Sequence, residues 1–146
     1  MALSELYEST IEKVRAYFGF SEFECDPQEI TDTLGLSPDE VRRKGERRVL
    51  RNSRFFDVPF HSWSIESECD SKDVNVHLRQ LLHRLEGKEA LIRMEWNPSF
   101  SILWKGNYLY AGSGPFFERD VLIGIVRCSA DLWQDIYQID SEDEDI

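Results

Sequence analysis

The chain has 146 residues, 41% of them hydrophobic and 12% aromatic, which is the size and composition of one globular domain with a single core. Its formal charge of -11 argues against general nucleic-acid binding, because a polyanion is repelled over most of the surface while a basic partner is steered in. Cys25, Cys69 and Cys128 are odd in number, widely spaced and without a CxxC pair, so neither a disulfide framework nor a zinc site is indicated and a cytoplasmic protein with reduced thiols is expected.

The first eleven residues carry Glu5 and Glu8 instead of a basic start and an apolar run, and no apolar stretch reaches the roughly 18 residues of a membrane span. Leu3, Leu6, Tyr7 and Ile11 fit a short helix or a first strand. Val14, Ala16, Phe18 and Phe20 alternate with Arg15, Tyr17 and Gly19, the period of a strand running toward Phe23. Asp26-Pro27-Gln28-Glu29 reads as an N-cap, a proline at N1 and a capping-box glutamate, opening a helix through Ile30 and Leu34 that ends at Gly35. Ser37-Pro38-Asp39-Glu40 repeats that grammar and predicts a second short helix to Lys44-Gly45. Residues 52–59 are expected to be an irregular connection with Phe55 and Phe56 tucked in.

A strand over residues 61–67 follows, with Trp63 and Ile65 on one face. Val74, Leu78, Leu81, Leu82 and Leu85 then form one stripe on a 3.6-residue helix, with Asp70, Ser71 and Asp73 before it, Gly87 after it, and Asn75, Arg79, Gln80, Arg84 and Glu86 on its polar side. Ile92, Met94 and Trp96 predict a strand over residues 90–96, broken by Asn97-Pro98. Phe100, Ile102 and Trp104 predict another, leading through Lys105-Gly106-Asn107 into a hairpin partner at Tyr108-Leu109-Tyr110. Val121, Leu122, Ile125 and Val126 have helical spacing. Residues 132–139 read as a last strand, with Leu132 and Ile136 on one face and Trp133 and Tyr137 on the other.

The resulting order is that of an α+β domain over residues 1–139: a single mixed, mostly antiparallel sheet of about five strands with the helices packed on one face. Residues 140–146 hold five acids in seven positions and are expected to be a solvated acidic tail. Packing every helix on one face leaves Tyr17, Trp133 and Tyr137 on the other, with Trp104 or Tyr108 as further candidates, an aromatic contact surface unless the Phe55-Phe56 loop and the N-terminal segment cover it.

Several fragments together carry a resemblance: residues 20–24, Asp26-Pro27-Gln28-Glu29-Ile30-Thr31, Leu34-Gly35-Leu36-Ser37-Pro38, Lys44-Gly45-Glu46, Ser62-Trp63-Ser64-Ile65-Glu66-Ser67, the leucine helix over 78–85, and Asp135-Ile136-Tyr137. In this order and spacing they resemble the uncharacterised bacterial and phage family named domain of unknown function 4279. The resemblance implies a small α+β domain of bacterial or phage origin, similar in size and charge to immunity proteins that neutralise secreted toxins, and it supplies no catalytic residues.

The residues themselves spell out no reaction. His77 and His83 are six apart on one helix, not the four that lets two imidazoles share a metal, and no GxSxG, HExxH, P-loop or GxGxxG motif occurs. Asp70 and Asp73 beside Cys69 read as helix caps rather than a metal corner. Glu66 and Glu68 share a strand face with no apolar pocket to part their acidities, and Gly112-Ser113-Gly114 reads as a turn more readily than as an anion loop. No catalytic residue, metal or cofactor is therefore expected.

The expected function is a non-catalytic protein-binding module, an immunity or anti-defence protein that neutralises a toxin or effector by direct binding. Its contact residues would be Tyr17, Trp133 and Tyr137 with the acidic tail Asp140, Glu142, Asp143, Glu144 and Asp145, facing a basic toxin domain. A small-molecule or enzymatic pocket near residues 112–117 is one alternative. The other is RNA or anion binding through the basic run at Arg42, Arg43, Lys44, Arg47, Arg48 and Arg51, which stands against Glu46 alone and is better explained by pairing with the protein's own acids or by solvation.

Overall fold

The structure is a computed structural model that describes residues 11–107 and 114–138. Its spine is β1 (Ile11–Phe23), whose alternating Val14, Ala16, Phe18 and Phe20 are all buried. A strand with one wholly apolar face and two free edges makes a sheet centre, and β1 pairs antiparallel with β5 (His61–Glu66) on one side and with β6 (Ser99–Gly106) on the other. The sheet order is β2-β5-β1-β6-β7, where β2 is Glu40–Arg42 and β7 is Asp131–Gln138. Only β6 and β7 run parallel. Their connection therefore has to cross the sheet, and helix α3 (Arg119–Arg127) lies within it.

Helix α1 (Pro27–Leu34) forms as its sequence dictates: Asp26 Oδ1 accepts the Gln28 N–H at 2.8 Å, Pro27 occupies the first turn, and Gly35 ends the helix at φ 66°. Ile30 and Leu34 are buried, and the Trp63 indole N–H donates to Thr31 Oγ1 at 3.0 Å, tying α1 to β5. Helix α2 (Val74–Leu85) buries Val74, Leu78, Leu81 and Leu85 on the sheet, is capped by Asp73 accepting from Asn75 N–H, and is followed by Gly87 at φ 81°. Phe18, Phe20, Trp63, Trp96 and Phe100 pack ring to ring between sheet and helices, with centroids 4.7 to 5.4 Å apart. The fold is thus α+β with a five-stranded main sheet, and the small antiparallel pair β3 (Arg47–Val49) and β4 (Phe55–Asp57) stands beside it.

Several expected elements differ. Residues 37–45 contain β2 instead of a helix. Asp39 is the reason: its N–H donates to Ser64 O at 2.8 Å and its Oδ2 accepts the Glu66 N–H at 2.7 Å, fastening the segment to the edge of β5. Residues 90–96 form two 3-10 turns, Glu89–Leu91 and Met94–Trp96, instead of a strand, because only Trp96 finds burial while Met94 is exposed. Residues 52–59 are not irregular but hold β4, and Phe55 is exposed beneath the Arg47 guanidinium, 4.1 Å from its ring centre, instead of tucked in. Trp104 is buried on the helix side of the sheet, and Asn75 is buried instead of solvated. Tyr108-Leu109-Tyr110 and the acidic tail lie outside the described residues. No helix among the described residues is long and apolar enough to cross a membrane.

Candidate protein-contact surface

Alternation along each strand and the pairing registers determine what the helix-free face of the sheet presents. Glu40 and Ser64, Gly19, Ser99 and Asp131 are in register across the five strands; in the next row Glu66, Tyr17, Ser101 and Trp133 are in register. Beyond these come Arg15, Leu103 and Asp135, then Lys13, Lys105 and Tyr137. The middle of this face is floored by small residues. Gly19 is required there, since a Cβ would collide with the Trp63 carbonyl oxygen.

The aromatic groups are unequal. Tyr17 is half-buried beside Glu66, and burial first, then that carboxylate, raises its hydroxyl above the usual tyrosine range. Trp133 and Tyr137 on the edge strand β7 are 67% and 50% exposed, while Leu132 and Ile136 of the same strand pack against the core. Asp131 and Asp135 alternate with the two aromatics, and the Tyr137 hydroxyl donates to Asp135 Oδ2 at 3.3 Å. Toward the sheet centre Arg15 pairs with Glu66 and Lys105 with Glu12, at 3.8 and 3.2 Å. Among the described residues no cation pairs with Asp131 or Asp135, so the β7 end of the face is acidic as well as aromatic. Asp131 and Asp135 were absent from the expected contact set, although the spacing Asp131, Trp133, Asp135, Tyr137 was there to be read. Phe56 does not cover this strip: it sits at the opposite end of the sheet, beside β2 and β5. Asp140, Glu142, Asp143, Glu144 and Asp145 lie outside the described residues.

The basic run is largely folded onto acids of the same chain. Arg42 pairs with Glu40, Arg43 with Asp26, Arg47 with Asp57 and Arg48 with Glu46, at 2.6, 2.8, 3.5 and 3.4 Å. Arg48 also donates to the Val41 carbonyl, fastening the β3–β4 hairpin to β2, and Lys44 N–H donates to His61 Nδ1. Arg43 and the Gln28 N–H together hold the Asp26 carboxyl below its ordinary range, the amide being the larger cause. Arg51 remains outward at the hairpin tip, exposed like its neighbours Val49 and Leu50.

A serine and a histidine do meet, at Ser67 and His77, but both are buried. The Ser71 carbonyl can only accept, so His77 Nε2–H donates to it at 2.7 Å and the neutral ring's Nδ1 accepts the Ser67 hydroxyl at 2.7 Å, while Ser67 Oγ accepts the Ala16 N–H at 3.0 Å. This chain fixes the neutral imidazole, and burial holds its pKa below that of a free histidine. With every polar atom engaged, the pair is a structural pin between β1, the end of β5 and α2. Asn75 works similarly: its amide donates to Phe116 O and accepts from Glu118 N–H, so α2 clamps the entry to α3, and Arg79 adds a fork onto Glu118 and Asp120. The described part of the 112–117 segment belongs to this clamp. Among the described residues no cluster of three or more histidine, cysteine or acidic side chains is arranged to hold a metal ion.

Residues 12–138 match the family model described as Domain of unknown function (DUF4279). The chain belongs to that family. No curated protein and no solved structure matches it. The family match spans every described strand and helix, including β7, so the acidic, aromatic edge is part of the family domain.

Proposed function

We propose that this DUF4279 protein is a non-catalytic, stoichiometric protein-binding module that takes a basic surface of a toxin-like effector onto the β7 strip. The observation that supports this reading most is the exposure of Trp133 and Tyr137 on a regular edge strand, with Asp135 between them and Asp131 beside Trp133. Large rigid aromatics are the side chains that most often dominate an interface, and they attract guanidinium and ammonium groups through their faces. The flanking carboxylates and the charge of -11 speed the approach of a cationic partner. The three free cysteines suit the reducing cytoplasm, where an immunity or anti-defence protein meets its target.

The test is co-expression with the effector encoded beside the gene, followed by size-exclusion chromatography. An equimolar complex that the Trp133→Ala, Tyr137→Ala double variant loses is expected. A complex insensitive to that variant, or an effector that passes through unbound, contradicts the reading.

A further inference from the structure

A second feature lies at the opposite end of the same sheet face. The β3–β4 hairpin is fastened by Gly45 N–H to Val58 O, by Val58 N–H to Glu46 O and by Arg48 to Val41 O, at 2.9, 2.7 and 3.1 Å. Val58 is buried, and the residues on either side of it set Phe56 and Phe60 against the outer face of β2 and β5. Between them lies a cleft of about 430 Å³, within the range of small-ligand sites. One wall is aromatic. The other is polar: pairing of Glu40 with Ser64 and of Arg42 with Ser62 places all four side chains in a square on that face.

The charges on that square restrict what fits. Arg42 spends only Nε on Glu40, at 2.6 Å, so the Nη1/Nη2 edge of its guanidinium is open to a carboxylate in the two-bond geometry this group favours. A simple anion is opposed both by Glu40 alongside and by the charge of the whole chain. A cation alone would leave the arginine edge unused. A molecule carrying a carboxylate and an ammonium on one carbon satisfies both, the first on Arg42 and the second on Glu40, with Ser62 and Ser64 hydroxyls beneath. Phe56 and Phe60 then ask for an apolar body.

We propose that this cleft binds a free α-amino acid with an apolar side chain, independently of the β7 strip. Isothermal titration calorimetry of the full chain with L-phenylalanine and L-leucine tests it. Saturable binding at one site per chain is expected, weakened at least tenfold for N-acetyl-L-phenylalanine, which lacks the ammonium, and for L-phenylalaninamide, which lacks the carboxylate. L-serine, without an apolar body, is expected not to bind. Phenylalanyl-leucine, whose ammonium and carboxylate are separated by a peptide unit, is expected to bind more weakly than L-phenylalanine, and tighter binding of the dipeptide contradicts the proposal. Arg42→Gln should lower affinity at least tenfold, and Ser62→Trp, which fills the cleft from its floor, should abolish binding, both with unchanged melting. No saturable binding of L-phenylalanine or L-leucine, blocked derivatives that bind as tightly as free L-phenylalanine, or undiminished binding by both variants overturns the proposal.

Discussion

His77 is the residue whose protonation the fold opposes. Its ring is wholly buried, which penalises the charged imidazolium, and a second ring proton would deprive the Ser67 hydroxyl of the nitrogen it donates to. The folded pKa lies below the unfolded one, near 6.5. The unfolded chain therefore binds more protons as pH falls through that region. His77 contributes its full stability above the unfolded pKa and loses it on acidification toward the folded pKa. Urea midpoints measured from pH 7.5 to pH 5 should fall, and the His77→Gln variant, though less stable at pH 7.5, should fall less steeply. Parallel slopes for the two proteins would contradict this. Asn75→Ala removes an amide buried among Asp73, Phe116 and Glu118 and should cost about 1 to 3 kcal/mol, because buried partners lose their bonds. Gly19→Ala should destabilise by about 1 to 3 kcal/mol or more through overpacking against Trp63. Denaturant unfolding reads both.

Elements became legible in the sequence where two signals agreed. Helix α2 combined an apolar stripe with Asp73 before it and Gly87 after it, and its limits are those expected. Leu81 lies at its centre, wholly buried, and Leu81→Ala should lower unfolding free energy by about 2 to 5 kcal/mol in a urea titration. The faces of β7 were also readable, since Leu132 and Ile136 alternate strictly with Trp133 and Tyr137. Where one signal stood alone it misled. Ser37-Pro38-Asp39-Glu40 carries the same start grammar as Asp26-Pro27-Gln28-Glu29, but Ile30 and Leu34 give α1 an inward face, whereas Val41 is followed by Arg42, Arg43 and Lys44. With no stripe to bury, the segment gained more by pairing with β5. Residues 90–96 alternate as a strand should, yet β6 already has β1 and β7 on its two edges. The cleft at Arg42 was illegible for a different reason. It exists only because the β3–β4 hairpin, fastened to β2 by Arg48, and the residues around buried Val58 bring Phe56 and Phe60 over a serine floor.

At the scale of the molecule the sheet has two unlike ends on one face. At β2 four arginines of the basic run pair with Glu40, Asp26, Asp57 and Glu46, and at β7 Asp131 and Asp135 alternate with the exposed Trp133 and Tyr137. The net charge of -11 favours the approach of a cationic surface, and at the β7 end that surface would meet Trp133 and Tyr137 beside Asp131 and Asp135. Association carried by this strip should slow steeply with salt, since long-range attraction is screened, while the dissociation rate should respond to loss of the aromatics. The central claim is that this strip is where a protein partner binds. Surface plasmon resonance of the co-purified partner over immobilised chain, with and without the Trp133→Ala substitution, tests it most directly. The account predicts at least tenfold weaker binding for the variant, through faster dissociation, and equal affinity for the two chains would contradict it.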